Sequence, residues 1–155
     1  MTAEEKKELA FEERLGIRFT KWGKPFWEGT AKGELRFQAC NDCGNKMFPA
    51  RLYCTNCMSQ NIGWLKASGK GKIYSYSIAY EYPPARVAKF LSTPYTIALI
   101  DLEEGVRMMT NIIDCKPEDV KIGLNVEVKF VDIGENVILP KFTLAKLISK
   151  NARKD

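Results

Sequence analysis

The chain has 155 residues, of which 45% are hydrophobic and 28% are charged, and its formal net charge is +5. It contains no histidine, which excludes Ser-His and Cys-His catalytic pairs and any catalytic metal held by histidine. The length fits one medium domain or two small ones. No apolar run approaches the roughly 18 residues that a membrane-spanning helix needs, and the amino end does not resemble a signal peptide. We therefore expect a cytoplasmic protein.

The beginning of the chain predicts helical segments. Residues 4–20 carry apolar side chains near helical spacing among charges, which predicts an amphipathic helix. Residues 21–33 hold Trp22, Phe26 and Trp27 between glycines, which predicts a short helix or turn. These aromatic side chains could form core, cover a ligand or face a partner, and the sequence leaves the three roles open.

Residues 34–39 predict a short strand that leads into four of the five cysteines, Cys40, Cys43, Cys54 and Cys57. Two Cys-x-x-Cys pairs can offer four thiolates to one tetrahedral ion, and Gly44 permits a tight turn after the first pair. A reducing compartment disfavours disulfides, and a thioredoxin-like redox centre would have one such pair in a βαβ unit. We predict structural Zn²⁺, with iron in the same cage as the alternative. Because four cysteines leave no open coordination position, the metal is predicted to take no part in catalysis.

The second half of the chain is dominated by predicted strands. Residues 70–82 alternate so strictly that Tyr74, Tyr76, Tyr80 and Tyr82 are predicted to share one face with Ile78. Such a stripe could stack the bases of a single-stranded nucleic acid, or it could cover the barrel.

A proline-marked loop over residues 83–94 separates this strand from two predicted hairpins. The hairpins span residues 95–114 and 124–145, and they turn at 103–105 and 134–136. Pro117 begins a short helical turn between them. Five strands with a helix between the third and fourth predict an OB-fold barrel. The fold class is therefore mainly β, with N-terminal helices, a rubredoxin-like zinc ribbon and a C-terminal five-stranded OB-fold. The predicted division is 1–33 helical segment, 34–66 zinc ribbon, 67–147 OB-fold domain and 148–155 frayed tail.

Two further features have both a functional and a structural interpretation. Lys70 and Lys72 flank Gly71, and this basic turn could bind phosphate or could be a solvated turn. Cys115 is interpreted as a buried small hydrophobic residue at a strand end, because no base accompanies it.

The order of these motifs resembles the domain-of-unknown-function thirty-five family over about residues 18–145. The residues that carry the resemblance are "PFWEG", "GELRFQAC" with its cysteine pair, "FPAR" before the second pair, "SGKGKIYSYSIAY", "PEDVKIGLNVEVKF" and "LPKFTLA". One departure is that Thr55 and Met58 stand where the family's second cysteine turn often has Pro and Gly, which could alter the backbone of that turn.

The resemblance implies a non-catalytic scaffold subunit that binds acyl-CoA. Its implied partner is a thiolase-like or 3-hydroxy-3-methylglutaryl-CoA synthase-like enzyme of lipid or mevalonate metabolism. Coenzyme A needs cations for its phosphates and an apolar slot for its pantetheine and acyl chain. The candidates for phosphate binding are Lys70, Lys72, Arg51 and Arg86, and those for the slot or for partner contact are Trp22, Trp27, Tyr74 and Tyr76. A module that binds single-stranded nucleic acid is the alternative function, and an enzyme based on Cys115 or a carboxylate pair ranks last.

Overall fold

A computed structural model of the protein describes residues 20–83, 91–134 and 137–145. The described part begins with a 3-10 turn, Lys21–Gly23, which continues into helix α1, Lys24–Ala31. Thr20 caps the turn, since its Oγ1 accepts a hydrogen bond from the Gly23 N–H at 3.1 Å. Of the short helix or turn predicted over 21–33, the structure has the short helix, with a 3-10 turn before it. The helix predicted over 4–20 lies outside the described residues apart from Thr20, and no described helix is long and apolar enough to cross a membrane.

A small antiparallel sheet follows the helix. Its strands are β1 (Arg36–Cys40), β2 (Lys46–Met47) and β3 (Ile62–Lys66), in the order β2-β1-β3. Strand β1 agrees with the strand predicted over 34–39. Because β1 ends at the first cysteine and β2 begins just after the second, this sheet fixes where the first cysteine pair lies.

The rest of the described chain forms a closed barrel. Its strands are β4 (Lys70–Ala79), β5 (Tyr95–Leu102), β6 (Arg107–Ile112), β7 (Asn125–Asp132) and β8 (Ile138–Leu144). They run in the order β4-β5-β6-β8-β7, and β7 pairs with β4 to close the barrel. All pairs are antiparallel except β6 with β8, where Ile112 lies opposite Phe142. A 3-10 turn, Pro117–Asp119, joins the third and fourth barrel strands. The predicted OB-fold, with its helix in this position, is confirmed.

The predicted tyrosine stripe is wrong, because β4 contains a bulge. Ile73 lies opposite Ile100, but Ser75 lies opposite the adjacent Leu99, so Tyr74 is an extra residue without a partner on β5. An extra residue reverses the inward and outward alternation beyond it. Tyr76 therefore lies opposite Ala98 and packs against the core, whereas Tyr74 points outward.

The core is shared by the helix, the small sheet and the barrel. Its most buried side chains are in the barrel, with Ile73, Ile100, Val126 and Phe142 each no more than 1% exposed. The same cluster contains residues from α1 and from the start of the small sheet: Phe26, Leu35 and Phe37. Apolar burial is the main favourable term in folding, so this common core holds the small sheet against the barrel.

Candidate metal centre and aromatic groove

The two cysteine pairs form turns with the same backbone geometry. In the first, the Gly44 N–H donates to the Cys40 carbonyl at 2.9 Å, and in the second the Met58 N–H donates to the Cys54 carbonyl at 3.0 Å. Gly44 has φ 71° and Met58 has φ 61°, so both residues occupy the left-handed region. Met58 therefore adopts a conformation that favours glycine. The second turn, which contains Thr55 and is followed by Met58, therefore has the same backbone shape as the first.

The two turns bring four sulfur atoms together. The Sγ atoms of Cys40, Cys43, Cys54 and Cys57 all lie within 4.8 Å of one another. The sulfurs of Cys40 and Cys57 are 3.6 Å apart, as are those of Cys43 and Cys54. A tetrahedral ion with bonds of about 2.3 Å to sulfur requires sulfur separations of about 3.8 Å. The four residues therefore fit one metal ion, and they form a metal-binding site in which every tetrahedral position has a sulfur ligand.

Nitrogen donors favour the thiolate form of two of the cysteines, Cys54 and Cys43. The Asn56 backbone N–H lies 3.4 Å from the Cys54 sulfur, and its side-chain amide lies 3.6 Å from the Cys43 sulfur. The backbone N–H groups of Cys57 and Asn56 lower the pKa of Cys54 to about 6. The Asn45 N–H and the Asn56 amide likewise lower the pKa of Cys43. The Ser59 N–H lowers the pKa of Cys57, but the neighbouring Cys43 sulfur and burial outweigh it and raise that pKa to about 12. Because thiolates and not thiols bind metals, the donors prepare Cys54 and Cys43 for a cation, whereas Cys57 loses its proton when the metal binds.

A groove lies between α1 and the segment that follows β2. Its volume is about 510 Å³, within the range of roughly 300–1,000 Å³ typical of ligand pockets. The lining residues are Thr20, Trp22, Gly23, Phe26, Trp27, Phe48, Pro49, Ala50, Arg51 and Leu52. We call this set the aromatic groove. The Phe26 ring packs edge-on against Trp27 with the centroids 5.1 Å apart, and it lies 5.4 Å from Phe48.

Polar contacts hold the two walls of the aromatic groove in place. Arg36 donates to the Pro25 carbonyl of α1 at 3.3 Å and also pairs with Glu34. On the other wall, the Arg51 N–H donates to Oε1 of the buried Gln38 at 2.6 Å. The Arg51 side chain is the one charged group of this lining, and it makes no ion pair with any residue that the structure describes. The groove therefore combines an apolar surface with a single available cation.

Two family models cover consecutive parts of the chain. The model described as "ChsH2, rubredoxin-like zinc ribbon domain" matches residues 27–63, and that described as "ChsH2, C-terminal OB-fold domain" matches residues 64–131. A DUF35 domain-containing scaffold protein of Methanocaldococcus jannaschii is 44% identical over 98 residues, which are 63% of this chain and 67% of that protein. The chain belongs to the DUF35 family.

Two other similar proteins have names that refer to enzymes, a thiolase and an aldolase. The benzoylsuccinyl-CoA thiolase subunit BbsA of Geobacter metallireducens is 33% identical to this DUF35 chain over 78 residues, about half of each protein. The solved structure named "Ltp2-ChsH2(DUF35) aldolase" superposes with a TM-score of 0.75 at 26% identity, covering 83% of this chain and 98% of that one. Proteins similar to this chain thus include one named as a thiolase subunit and one named as part of an aldolase.

In this DUF35 chain, the predicted ligand residues do not form one site. Trp22, Trp27 and Arg51 all line the aromatic groove. Tyr74 lies on the outer face of the barrel, where the Arg107 guanidinium carbon is 3.3 Å from the centre of its ring. Tyr76 packs against the barrel core. The structure therefore brings together three of the predicted residues and separates both tyrosines from them.

The predicted lysines of β4 lie next to acidic residues. Lys70 is opposite Glu127 of β7, and Lys72 is opposite Asp101 of β5. The glycine of the same turn at position 69 has φ 79°, and a Cβ there would lie 2.4 Å from Cγ1 of Val128. Close packing against Val128 thus accounts for the glycine at position 69 of this turn. Arg86, the remaining phosphate candidate, lies outside the described residues.

Phe48 and Leu52 also line the groove, although neither is among the ligand residues predicted from the sequence. Their signal in the sequence is the apolar run between the two cysteine pairs. Cys115, which was predicted to be a buried small hydrophobic residue, is half-buried and packs against the core. Burial, followed by the nearby Asp119 and Asp114, raises its pKa, so this thiol is a weak nucleophile at neutral pH.

Proposed function

We propose that the chain is a non-catalytic partner subunit in acyl-CoA metabolism, which binds acyl-CoA and docks on a thiolase-like or 3-hydroxy-3-methylglutaryl-CoA synthase-like enzyme. The observation that carries this proposal is the aromatic groove, whose apolar walls and single available cation suit a thioester with an anionic end. The names of the similar proteins support the same area of metabolism.

Several features support a role without catalysis. The chain has no histidine, and a four-cysteine site leaves a tetrahedral ion no position for water or substrate. The remaining thiol, Cys115, has a raised pKa. We propose that Zn²⁺ is the resident ion because it favours a closed tetrahedron of thiolates. When bound, it would stabilise the two cysteine turns, and iron in the same cage is the alternative.

We assign the pantetheine and acyl part of the ligand to the aromatic groove. Trp22 and Leu52 are 43% and 50% exposed, so the apolar groove is open to a ligand. The Arg51 guanidinium can donate two parallel hydrogen bonds to a phosphate. Lys70 and Lys72 are less suitable for this role because each lies opposite a carboxylate.

For the docking surface we propose the outward side of β6 at Met109 together with the exposed tyrosines of the segment that follows β4. Tyr80 and Tyr82 are 71% and 89% exposed, and Met109 is 69% exposed. Aromatic residues and Met are enriched at protein interfaces. One feature that favoured the nucleic-acid alternative was the predicted tyrosine stripe, and the inward position of Tyr76 interrupts it.

Ligand binding can be tested by calorimetric titration of the metal-loaded protein with acetyl-CoA and with a longer acyl-CoA. We expect binding that Arg51→Gln and Trp27→Ala both weaken by about tenfold, which is 1.4 kcal/mol. The matched control is Lys70→Gln, which removes the same charge outside the groove. Equal weakening by Lys70→Gln, or no effect of the groove substitutions, would refute the assignment of the site.

Docking requires a separate measurement. The tagged protein is purified from its native cells with and without nuclease, and the co-purifying proteins are identified by mass spectrometry. We expect a thiolase-like or synthase-like enzyme in near-stoichiometric amount, unaffected by nuclease. Recovery of nucleic-acid-processing proteins that nuclease removes would instead support the alternative function.

A further inference from the structure

The two cysteine turns are joined by a second set of contacts, which uses side-chain oxygen and nitrogen atoms. Asp42 lies inside the first turn, between Cys40 and Cys43. Its carboxylate accepts hydrogen bonds from the Ser59 hydroxyl and, at 2.8 Å, from the Asn61 amide. Ser59 and Asn61 both follow the second turn. Asp42 therefore connects the two halves of the metal site directly.

Neighbouring contacts make this connection a closed network. The Asn61 amide oxygen accepts a hydrogen bond from the Asn41 side chain at 2.9 Å, and the Asn61 N–H donates to the Ser59 hydroxyl at 2.9 Å. The Asn41 N–H also donates to the Asn61 carbonyl at 2.9 Å. We call Asn41, Asp42, Ser59 and Asn61 the cross-turn brace. All four residues are exposed or half-buried, so the common core does not depend on them.

We infer that Asp42 is a positioning residue for the metal, which holds the two cysteine turns at the separation that the ion requires and so slows metal loss. The inference rests on the proposed occupancy of the four-cysteine site. Separation of the two sulfur pairs would break the bonds from the ion to one pair and expose the ion to a competing ligand. The cross-turn brace opposes that movement because its hydrogen bonds link the same two turns. Contacts that orient metal ligands commonly change metal affinity by about 10-fold to 100-fold when they are removed.

The charge of Asp42 would act in the opposite direction. Four thiolates and one divalent ion carry a net negative charge, so a nearby carboxylate repels the cluster. Removing that charge without changing the shape of the side chain should, on electrostatic grounds alone, favour the loaded site. The sign of the effect of Asp42→Asn therefore distinguishes positioning from electrostatics.

The test measures release of Zn²⁺ from the loaded full chain to an excess of a chromophoric chelator. We expect Asp42→Asn and Asp42→Ala to release metal faster, by about tenfold for the alanine variant. The matched control is Glu118→Gln, which removes one exposed negative charge far from the site in sequence. The same series loaded with Co²⁺ gives a second readout, because thiolate absorption bands report whether four sulfurs still bind the ion.

A double-mutant cycle completes the test. Ser59→Ala removes the hydroxyl that donates to Asp42, so its effect should be smaller when Asp42 is already alanine. Release that is unchanged or slower in Asp42→Asn, or fully additive effects in the cycle, would overturn the inference. These outcomes are independent of acyl-CoA or partner binding. Failure of the chain to retain either metal would instead refute the proposed metal occupancy, and with it the basis of the inference.

Discussion

The left-handed conformation of Met58 predicts that glycine at this position makes the protein more stable. Met58 has φ 61°, whereas the equivalent residue of the first cysteine turn is Gly44 with φ 71°. The Met58 side chain is 69% exposed, so its removal gives up little burial. Met58→Gly therefore changes mainly the backbone energy of the turn.

The size of the effect follows from two opposing terms. A side chain in the left-handed region costs about 1–2 kcal/mol. Glycine loses more conformational freedom on folding, which offsets about 0.5–1 kcal/mol of the gain. We expect Met58→Gly to raise the free energy of unfolding by about 0.5–1 kcal/mol. For a chain of this size, each kcal/mol raises the melting temperature by about 2–4 °C.

The reciprocal substitution at Gly44 is the matched control. A Cβ at Gly44 would meet no atom within 4 Å, so Gly44→Ala tests the backbone conformation without a clash. We expect it to lower the free energy of unfolding by about 1 kcal/mol. Both variants are melted at one fixed free Zn²⁺ concentration, because bound metal itself stabilises the folded state. A lower melting temperature for fully loaded Met58→Gly would refute the reasoning, as would an unchanged one for Gly44→Ala.

Three other predictions concern packing, the fifth cysteine and pH. Gly69→Ala places a Cβ 2.4 Å from Cγ1 of Val128 at φ 79°, so we expect denaturant melts to show a loss of about 2 kcal/mol or more. Cys115→Ala should leave the metal content of the protein unchanged. In the metal-loaded wild type, Cys115 should react slowly with a thiol reagent at neutral pH, because the pKa of its thiol is raised. Apparent Zn²⁺ affinity should fall as the pH falls, because the thiols must lose their protons to bind the ion. Cys54 contributes to this fall only below pH about 6, where its thiolate becomes protonated. Competition titrations at several pH values measure the trend, and an affinity that rises as the pH falls would contradict the prediction.

The barrel and the cysteine cluster could be predicted because their signals are local in the sequence. Each hairpin has alternating strands on either side of a short turn, and Pro117 begins the turn between the third and fourth barrel strands. The spacing of the two cysteine pairs is likewise visible without any tertiary information. These patterns do not depend on which residues meet across the fold.

The bulge and the groove could not be predicted for the opposite reason. The sequence around Tyr74 alternates without interruption, and the extra residue is visible only in the pairing of β4 with β5. The aromatic groove combines residues 20–27 with residues 48–52, and this contact depends on how α1 packs against the small sheet. Trp22, Trp27 and Arg51 are predicted ligand residues that do meet in the groove, whereas the predicted residues of β4 lie elsewhere.

The core that the small sheet shares with the barrel has a consequence for synthesis of the chain. Leu35 and Phe37 leave the ribosome before Ile100 and Phe142, which belong to the same apolar cluster. The barrel itself closes only when β7 reaches β4, and contacts between distant parts of a chain form slowly. The nascent protein therefore exposes apolar surface until its last barrel strands have been made, and such surface favours aggregation.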